Sequence, residues 1–365
     1  MIGGFFFVLQ SLHKEVDVTM KALLLAGGLG TRLRPLTEQW PKPMAWVGNR
    51  PWLEHLILHL REEGIEDFVL AIKHAPEAIR SYFKDGSPWG IRIAYAVEDK
   101  PLGTAGAIKH AESLLGDRFL VMNADIIQRL SLAPLLEFHE SRGGLVTIGL
   151  TEVEDPSPYG VVDQRADGRI LRFVEKPAPH EAPSRRINAG IYVMEKEALA
   201  YIPEGREVSI ERETFPALVE REPGVYGYLC SGYWLDMGTT ERYRRLHRDI
   251  LDRAFPLALH GRERGKGIWV GDHASIGSGT LFVPPVVIGD RVRIGDRSVI
   301  GPYTVIGNDC IIGPQTRIAE SILWDRCTVR QGAQLNHCIF GFGLEIGEHH
   351  LLHEAVMNRA KGGVG

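Results

Sequence analysis

Cysteine is scarce in this chain of 365 residues. The four present, Cys230, Cys310, Cys327 and Cys338, form no CxxC pair and no Cys/His cluster at zinc spacing. That scatter argues against a disulfide-framed domain or a zinc finger and fits reduced thiols in a cytoplasmic protein. Long apolar runs are missing as well. Gly3–Leu9 is apolar but short, lacks a basic stretch before it, and is followed by Glu15 and Asp17 without a clear cleavage site. It reads as neither a signal peptide nor a membrane span. Residues 1–19 are therefore expected to be an extension outside the core, or the product of an upstream start codon. There is no block of basic residues, and the formal net charge is −4. Neither nucleic acid nor membrane is an expected partner. No Ser/His/Asp or Cys/His arrangement for covalent catalysis stands out.

From Met20 to about Asp252, strand and helix patterns alternate. Lys21–Leu25 is a short apolar run ending at Ala26-Gly27-Gly28, a buried strand entering a turn. Pro51–Glu63 carries Leu53, Leu56, Ile57 and Leu60 at helical spacing. Phe68–Ile72, Ile91–Ala96 and Phe119–Met122 read as strands, and Ala75–Phe83 and Thr104–Leu115 as helices. The alternation predicts an α/β domain, residues 20–254, with a mainly parallel sheet covered on both faces. Such sheets bind ligands beyond the carboxyl ends of their strands.

The texture changes at Ile268. Apolar residues recur every six positions at Val270, Ile276, Phe282, Ile288, Ile294, Ile300, Ile306, Ile312 and Ile318. Glycine follows most of them, at 271, 277, 289, 295, 301, 307 and 313. Neither a helix nor an ordinary strand has a period of six, so residues 268–347 are expected to form a parallel β-helix of hexapeptide turns. The register weakens after Ala319, although Cys327–Gly347 still reads as imperfect coils. Residues 255–267 read as a linker. Residues 348–365 read as a short helix with a loose glycine-rich end, with His349, His350 and His353 decorating the helix.

The segment Leu25–Met44 carries the chemistry. A strand ends and the backbone turns through Gly27, Gly28 and Gly30. Glycine permits positive φ and close ligand approach, and exposed N–H groups can cradle phosphate oxygens. Arg32 adds a planar cationic fork and Lys42 a point charge. Together they suit a triphosphate and the charge that builds during phosphoryl attack. The spacing matches neither a P-loop nor the Rossmann fingerprint. Farther along, Asp125 follows an apolar strand and Asp236 ends another motif. Two carboxylates brought together can hold Mg²⁺, which takes oxygen ligands and substrate phosphates.

This string, Gly-x-Gly-Thr-Arg-Leu followed by Pro-Lys-Pro, resembles the signature of the sugar-1-phosphate nucleotidylyltransferases, the NDP-sugar pyrophosphorylases. The resemblance runs on through Pro101–Gly106, Asn123-Ala-Asp125, Tyr159-Gly-Val161, Val174–Pro177, Asn188–Tyr192 and Trp234–Thr239. It implies a Rossmann-like nucleotidyltransferase domain with a mixed, mostly parallel sheet, followed by a left-handed parallel β-helix. Within the family the motifs look most like those of mannose-1-phosphate guanylyltransferases. Guanylyltransferases of manno-heptose 1-phosphate and glucose-1-phosphate thymidylyl or uridylyl enzymes are the alternatives.

The resemblance also implies roles. Leu25, Ala26, Gly27, Gly28, Gly30, Thr31, Arg32, Glu98, Gly103 and Thr104 would bind the nucleotide, with Arg32, Lys42 and Asp125 catalytic. Gly160, Glu175, Lys176 and Asn188 would bind the sugar phosphate, and Asp125 and Asp236 the Mg²⁺. At the position of Glu98, thymidylyl and uridylyl members resemble one another in having Gln. A carboxylate only accepts hydrogen bonds, and guanine offers N1–H and N2–H together, so Glu98 favours GTP. A homo-oligomer is expected. Because hexapeptide β-helices also build acyltransferases that use histidine, His273 and His337 keep a second activity open. A non-catalytic regulatory subunit would tend to lose the loop arginine or the metal aspartate. Here Arg32, Lys42, Asp125 and Asp236 are all present.

Overall fold

The computed structural model describes residues 20–359. The expected extension at 1–19 and the glycine-rich end at 360–365 lie outside the described residues. Lys21–Leu25 lies at the middle of a mixed nine-stranded sheet. Asp67–Ile72 and Arg118–Asn123 flank it in parallel, and Arg92–Val97 extends the parallel set. Its inner residues Ala22, Leu23 and Leu24 are wholly buried, which is why the strand reads as one apolar run rather than an alternation. The ten-residue strand Arg186–Glu195 runs antiparallel to Arg118–Asn123 on one side and Val146–Glu152 on the other. Val225–Leu229 then pairs in parallel with Val146–Glu152. The antiparallel hairpin Gly160–Gln164 and Ile170–Glu175 joins the N-terminal part of Arg186–Glu195.

The expected helices form at Trp52–Glu62, Pro76–Phe83 and Gly103–His110. The last is shorter than predicted and gives way to a tight turn at Glu112–Leu114. No described helix is long and apolar enough to cross a membrane.

Beyond Ile268, three parallel sheets stack short strands coil upon coil, an arrangement that fits the left-handed β-helix. Glycine follows the inward aliphatic residue because successive coils touch there. A Cβ on Gly289 would lie 2.7 Å from the backbone nitrogen of Asn308. Two boundaries need correction. Arg262–Gly265, inside the expected linker, is a strand antiparallel to Ile268–Val270. Residues 348–359 contain no helix, because Leu351–His353 and Val356–Met357 continue the coils. The hexad is lost after Ile318 because one corner of each later coil is a residue shorter. Ile306 stacks on Leu323, Leu323 on Phe340, and Phe340 on Met357, every 17 residues instead of 18. His349, His350 and His353 therefore belong to the last coil. Leu351 and Leu352 have backbone partners only because the preceding coil supplies them.

The two domains share a core. Helix Thr240–Leu251 buries Tyr243, Leu246 and Ile250 in the cluster that includes Val287, Val305, Ile322 and Ile339 of the β-helix. The tryptophans near the glycine loop take part as well. Trp40 and Trp46 pack on Phe342, and Trp46 Nε1 donates to Asp325 Oδ1 at 3.2 Å. Tyr243 hydroxyl donates to the carbonyl of Trp46 and accepts from Trp324 Nε1 at 2.9 Å. Asn358 Nδ2 reaches the carbonyl of Pro35, so the final coil holds the outer side of the loop.

Candidate active site

The glycine loop leaves the sheet where Leu25 pairs with Asn123, so it and Asn123-Ala-Asp125 emerge side by side. Among the loop glycines only Gly30 has a positive φ, +58°. A Cβ there would lie 3.0 Å from Lys42 Cβ and 3.1 Å from Thr37 Cγ2, so this position requires glycine on both counts. Gly27 and Gly28 serve a different purpose. A Cβ on Gly27 would touch Lys73 and Glu98, and one on Gly28 would project into open space. The prolines of Pro41-Lys42-Pro43 frame a tight turn that turns Lys42 inward, leaving it only 6% exposed.

A cavity of about 330 Å³ opens over this loop. Leu25, Gly27, Gly28, Lys42, Glu98, Gly103, Thr104 and Asp125 line it, together with Lys73, Asn123 and Glu207. Glu98 Oε2 accepts the Leu102 N–H at 3.1 Å, and Oε1 faces Gly27. Burial raises the Glu98 pKa above the ordinary carboxylate range, partly offset by that hydrogen bond and by Lys73. Gly103, at φ +69°, presses against Val208, whose carbonyl would lie 2.5 Å from a Cβ. Thr104 hydroxyl donates to Glu211 Oε2 at 2.9 Å and accepts the Ile210 N–H at 2.8 Å. Four expected nucleotide residues, Ala26, Gly30, Thr31 and Arg32, do not line this cavity. Ala26 is wholly buried and spends its N–H on the Ala71 carbonyl. Thr31 and Arg32 lie one turn farther along, and Arg32 lines the neighbouring cavity instead.

That second cavity, about 640 Å³, shares Asn123 and Asp125 with the first. Gly160, Glu175, Lys176, Asn188 and Asp236 line it, as does Arg32. These residues come from distant strands. The hairpin supplies Gly160 and Glu175, and the two-stranded ribbon Ile126–Gln128 with Trp234–Asp236 sets Asp236 opposite Ile126. Gly160 leaves room for Phe173, whose Cζ would lie 2.4 Å from a Cβ. Asn188 donates to Tyr192 hydroxyl at 2.9 Å and accepts the Gly190 N–H at 2.9 Å, each atom keeping capacity for one more bond. Burial and the nearby charge of Glu211 raise the Glu175 pKa, while Lys176, 3.4 Å away, opposes the rise.

Where the cavities meet, Lys42 Nζ bridges Asp125 Oδ2 at 2.6 Å and Asp236 Oδ1 at 3.3 Å. One cation thus touches both carboxylates. Two carboxylates that share one cation are the residues here that could hold a hard metal ion. No cluster of three or more acidic, histidine or cysteine ligands exists among the described residues.

A family model described as Nucleotidyl transferase matches residues 21–253, more than half of the chain. The chain belongs to the nucleotidyl transferase family. A second model, described as GMPPB C-terminal domain, matches residues 282–359 of this nucleotidyl transferase. The chain is 38% identical over 313 residues to a mannose-1-phosphate guanylyltransferase of Mycobacterium tuberculosis, covering 85% of this chain and 81% of that protein. It is 40% identical to mannose-1-phosphate guanylyltransferase 1 of Arabidopsis thaliana, covering 74% of this chain and 76% of that one. Among solved structures, HddC from Yersinia pseudotuberculosis complexed with GMP-PN aligns with a TM-score of 0.53 and 27% identity. That alignment covers 63% of this transferase and 99% of HddC.

Several lining residues escaped the sequence reading. Asn123, Tyr159 and Trp234 lie inside the family motifs, next to the residues those motifs single out. Lys73, Glu207, Glu211 and Arg242 lie outside every motif, and only chain folding brings them to the cavities.

Proposed function

We propose that this nucleotidyl transferase makes GDP-mannose and pyrophosphate from GTP and mannose 1-phosphate. The observation that carries the reading is the pair of cavities that meet at Asn123 and Asp125. A donor and an acceptor bound on either side of Asp125 would have their reacting phosphates adjacent, which is what direct transfer requires. The names of the curated relatives supply the substrate pair. Glu98 supports the guanine assignment, because it offers acceptors to the two guanine donors from a half-buried position.

In this reading an oxygen of mannose 1-phosphate attacks the α-phosphorus of GTP. The new P–O bond forms as the bond to the β-phosphate bridging oxygen breaks, and pyrophosphate carries away the electron pair. The attacking phosphate is already ionised near neutrality, so no side chain need remove a proton. Gly27 and Gly28 leave the triphosphate access to the backbone, and Lys42 neutralises it. Lys176 and Arg32 meet the acceptor phosphate, while Glu175 and Asn188 take sugar hydroxyls. Asp125 and Asp236 would hold Mg²⁺, which would supply charge neutralisation for the transferring phosphate.

The test is pyrophosphate release with GTP, dTTP, UTP, ATP and CTP crossed with mannose, glucose and heptose 1-phosphates in the presence of Mg²⁺. GTP with mannose 1-phosphate should give the largest kcat/KM. A larger value for another pair would replace the substrate assignment, and no reaction with any pair would overturn the transfer reading.

A further inference from the structure

The helix Thr240–Leu251 starts just after Asp236, and its first turn carries a cation that the proposed transfer leaves unused. Thr239 caps this turn, its hydroxyl accepting the Arg242 N–H at 3.3 Å. Arg242 Nη1 then donates to Asp236 Oδ2 at 2.7 Å. Its guanidinium lies 5.8 Å from the centre of the Tyr159 ring, and Trp234 meets that ring edge-on at 5.2 Å. The Arg242 side chain is 31% exposed, against 13% for Asp236, and it lines the acceptor cavity with Arg32 and Lys176.

Charge balance makes this position informative. Lys42 and Arg242 are balanced by Asp125 and Asp236. A further cation joining the two carboxylates would leave both side chains without a counter-charge. Lys42 lines the donor cavity and Arg242 the acceptor cavity, so each side would gain one cation that needs an anion. Lys176, the acceptor-side lysine, is 57% exposed and already paired with Glu175. A point charge in that setting is a weak phosphate anchor. A guanidinium steadied by an aromatic face offers two parallel donors matched to phosphate oxygens.

We propose that Arg242 is a phosphate-binding residue for the acceptor, held by Asp236 while the cavity is empty and donating to the sugar 1-phosphate when it is filled. This inference rests on the transfer reading above. It assigns the chain a phosphate fork from outside the recognised motifs.

The test compares wild type with Arg242→Met and Arg242→Lys. For Arg242→Met, the KM for mannose 1-phosphate should rise on the order of 10- to 100-fold, the loss of hydrogen bonds to a charged group. KM for GTP should stay within about twofold, and Tm should not move. Arg242→Lys should recover part of the loss, since it restores charge without the fork. Calorimetric titration of mannose 1-phosphate into each protein should weaken by the same factor, independent of turnover. An unchanged acceptor KM, or equal losses for both substrates with a lowered Tm, would overturn the inference and leave Arg242 as a brace for Asp236. If the wild type transfers nothing, the reading beneath it fails, while the titration still reports whether Arg242 binds a sugar phosphate.

Discussion

The donor and acceptor cavities are built in different ways. The donor side sets a glycine turn at the end of one strand and small apolar residues beside charged groups, among them Lys42 from the tight Pro41–Pro43 turn. The acceptor side is mostly charged and polar side chains, brought from the loop, the hairpin, the ribbon and the start of a helix. A triphosphate can be met largely by N–H groups that any sequence supplies, once glycine lets them be approached. A particular sugar must be met by side chains at defined points, and these come from wherever the fold delivers them. The difference locates generic affinity on one side and identity on the other, with Glu98 the exception on the donor side.

The largest effect should come from the residue both cavities share. Asp125→Asn is expected to lower kcat on the order of 10³-fold, the scale of losing a group that stabilises transition-state charge. The effect should hold whichever substrate is saturating, and circular dichroism should show an intact fold. Near-normal turnover would mean that the two cavities do not meet at a common reacting centre.

Glu98→Gln should act on the donor side alone. It should lower kcat/KM for GTP by about 10- to 100-fold, leave the acceptor KM unchanged, and raise dTTP and UTP relative to GTP. A pH profile sharpens this test. Burial raises the pKa of Glu98, so its carboxylate is protonated at a higher pH than an ordinary glutamate as acidity increases. The acidic limb of kcat/KM for GTP should therefore begin above the usual glutamate range, and Glu98→Gln should remove it. A limb that persists in the variant belongs to another group.

Lys176→Met should raise the acceptor KM by roughly 10-fold and spare that of GTP. The smallest kinetic effect is expected at Thr104, whose hydroxyl is already engaged by Glu211 and Ile210. Thr104→Val should cost about 1–3 kcal/mol of stability in denaturant titration, with GTP KM nearly unchanged. A large rise in GTP KM at constant stability would instead make Thr104 a direct nucleotide contact.

What could be read from the sequence follows the same division. The strand Lys21–Leu25 and its glycine turn were legible because a buried parallel strand is a local apolar run and a phosphate turn is a local glycine string. The first coils were legible because each hexad repeats a single structural unit. The later coils and the last strands were not, since a corner shortened by one residue breaks the period while the stacking continues. Leu351-Leu352 followed by Ala355-Val356 suits a helix in isolation, and becomes strand only beside Gln334–Asn336 and Ile339–Phe340.

By itself, the sequence determined the class of each domain, the loop that can meet a triphosphate, and the two aspartates as metal candidates. Those properties depend on residues close together in the chain or on short repeated units. The tertiary structure alone decided that Arg32 and Arg242 line the second cavity and that Lys42 bridges Asp125 and Asp236. It also decided that the last coils hold the loop through Phe342 and Asn358. Those partners lie 83 to 323 residues apart. Separations that long leave no local pattern, because only the path of the folded chain sets which charges meet.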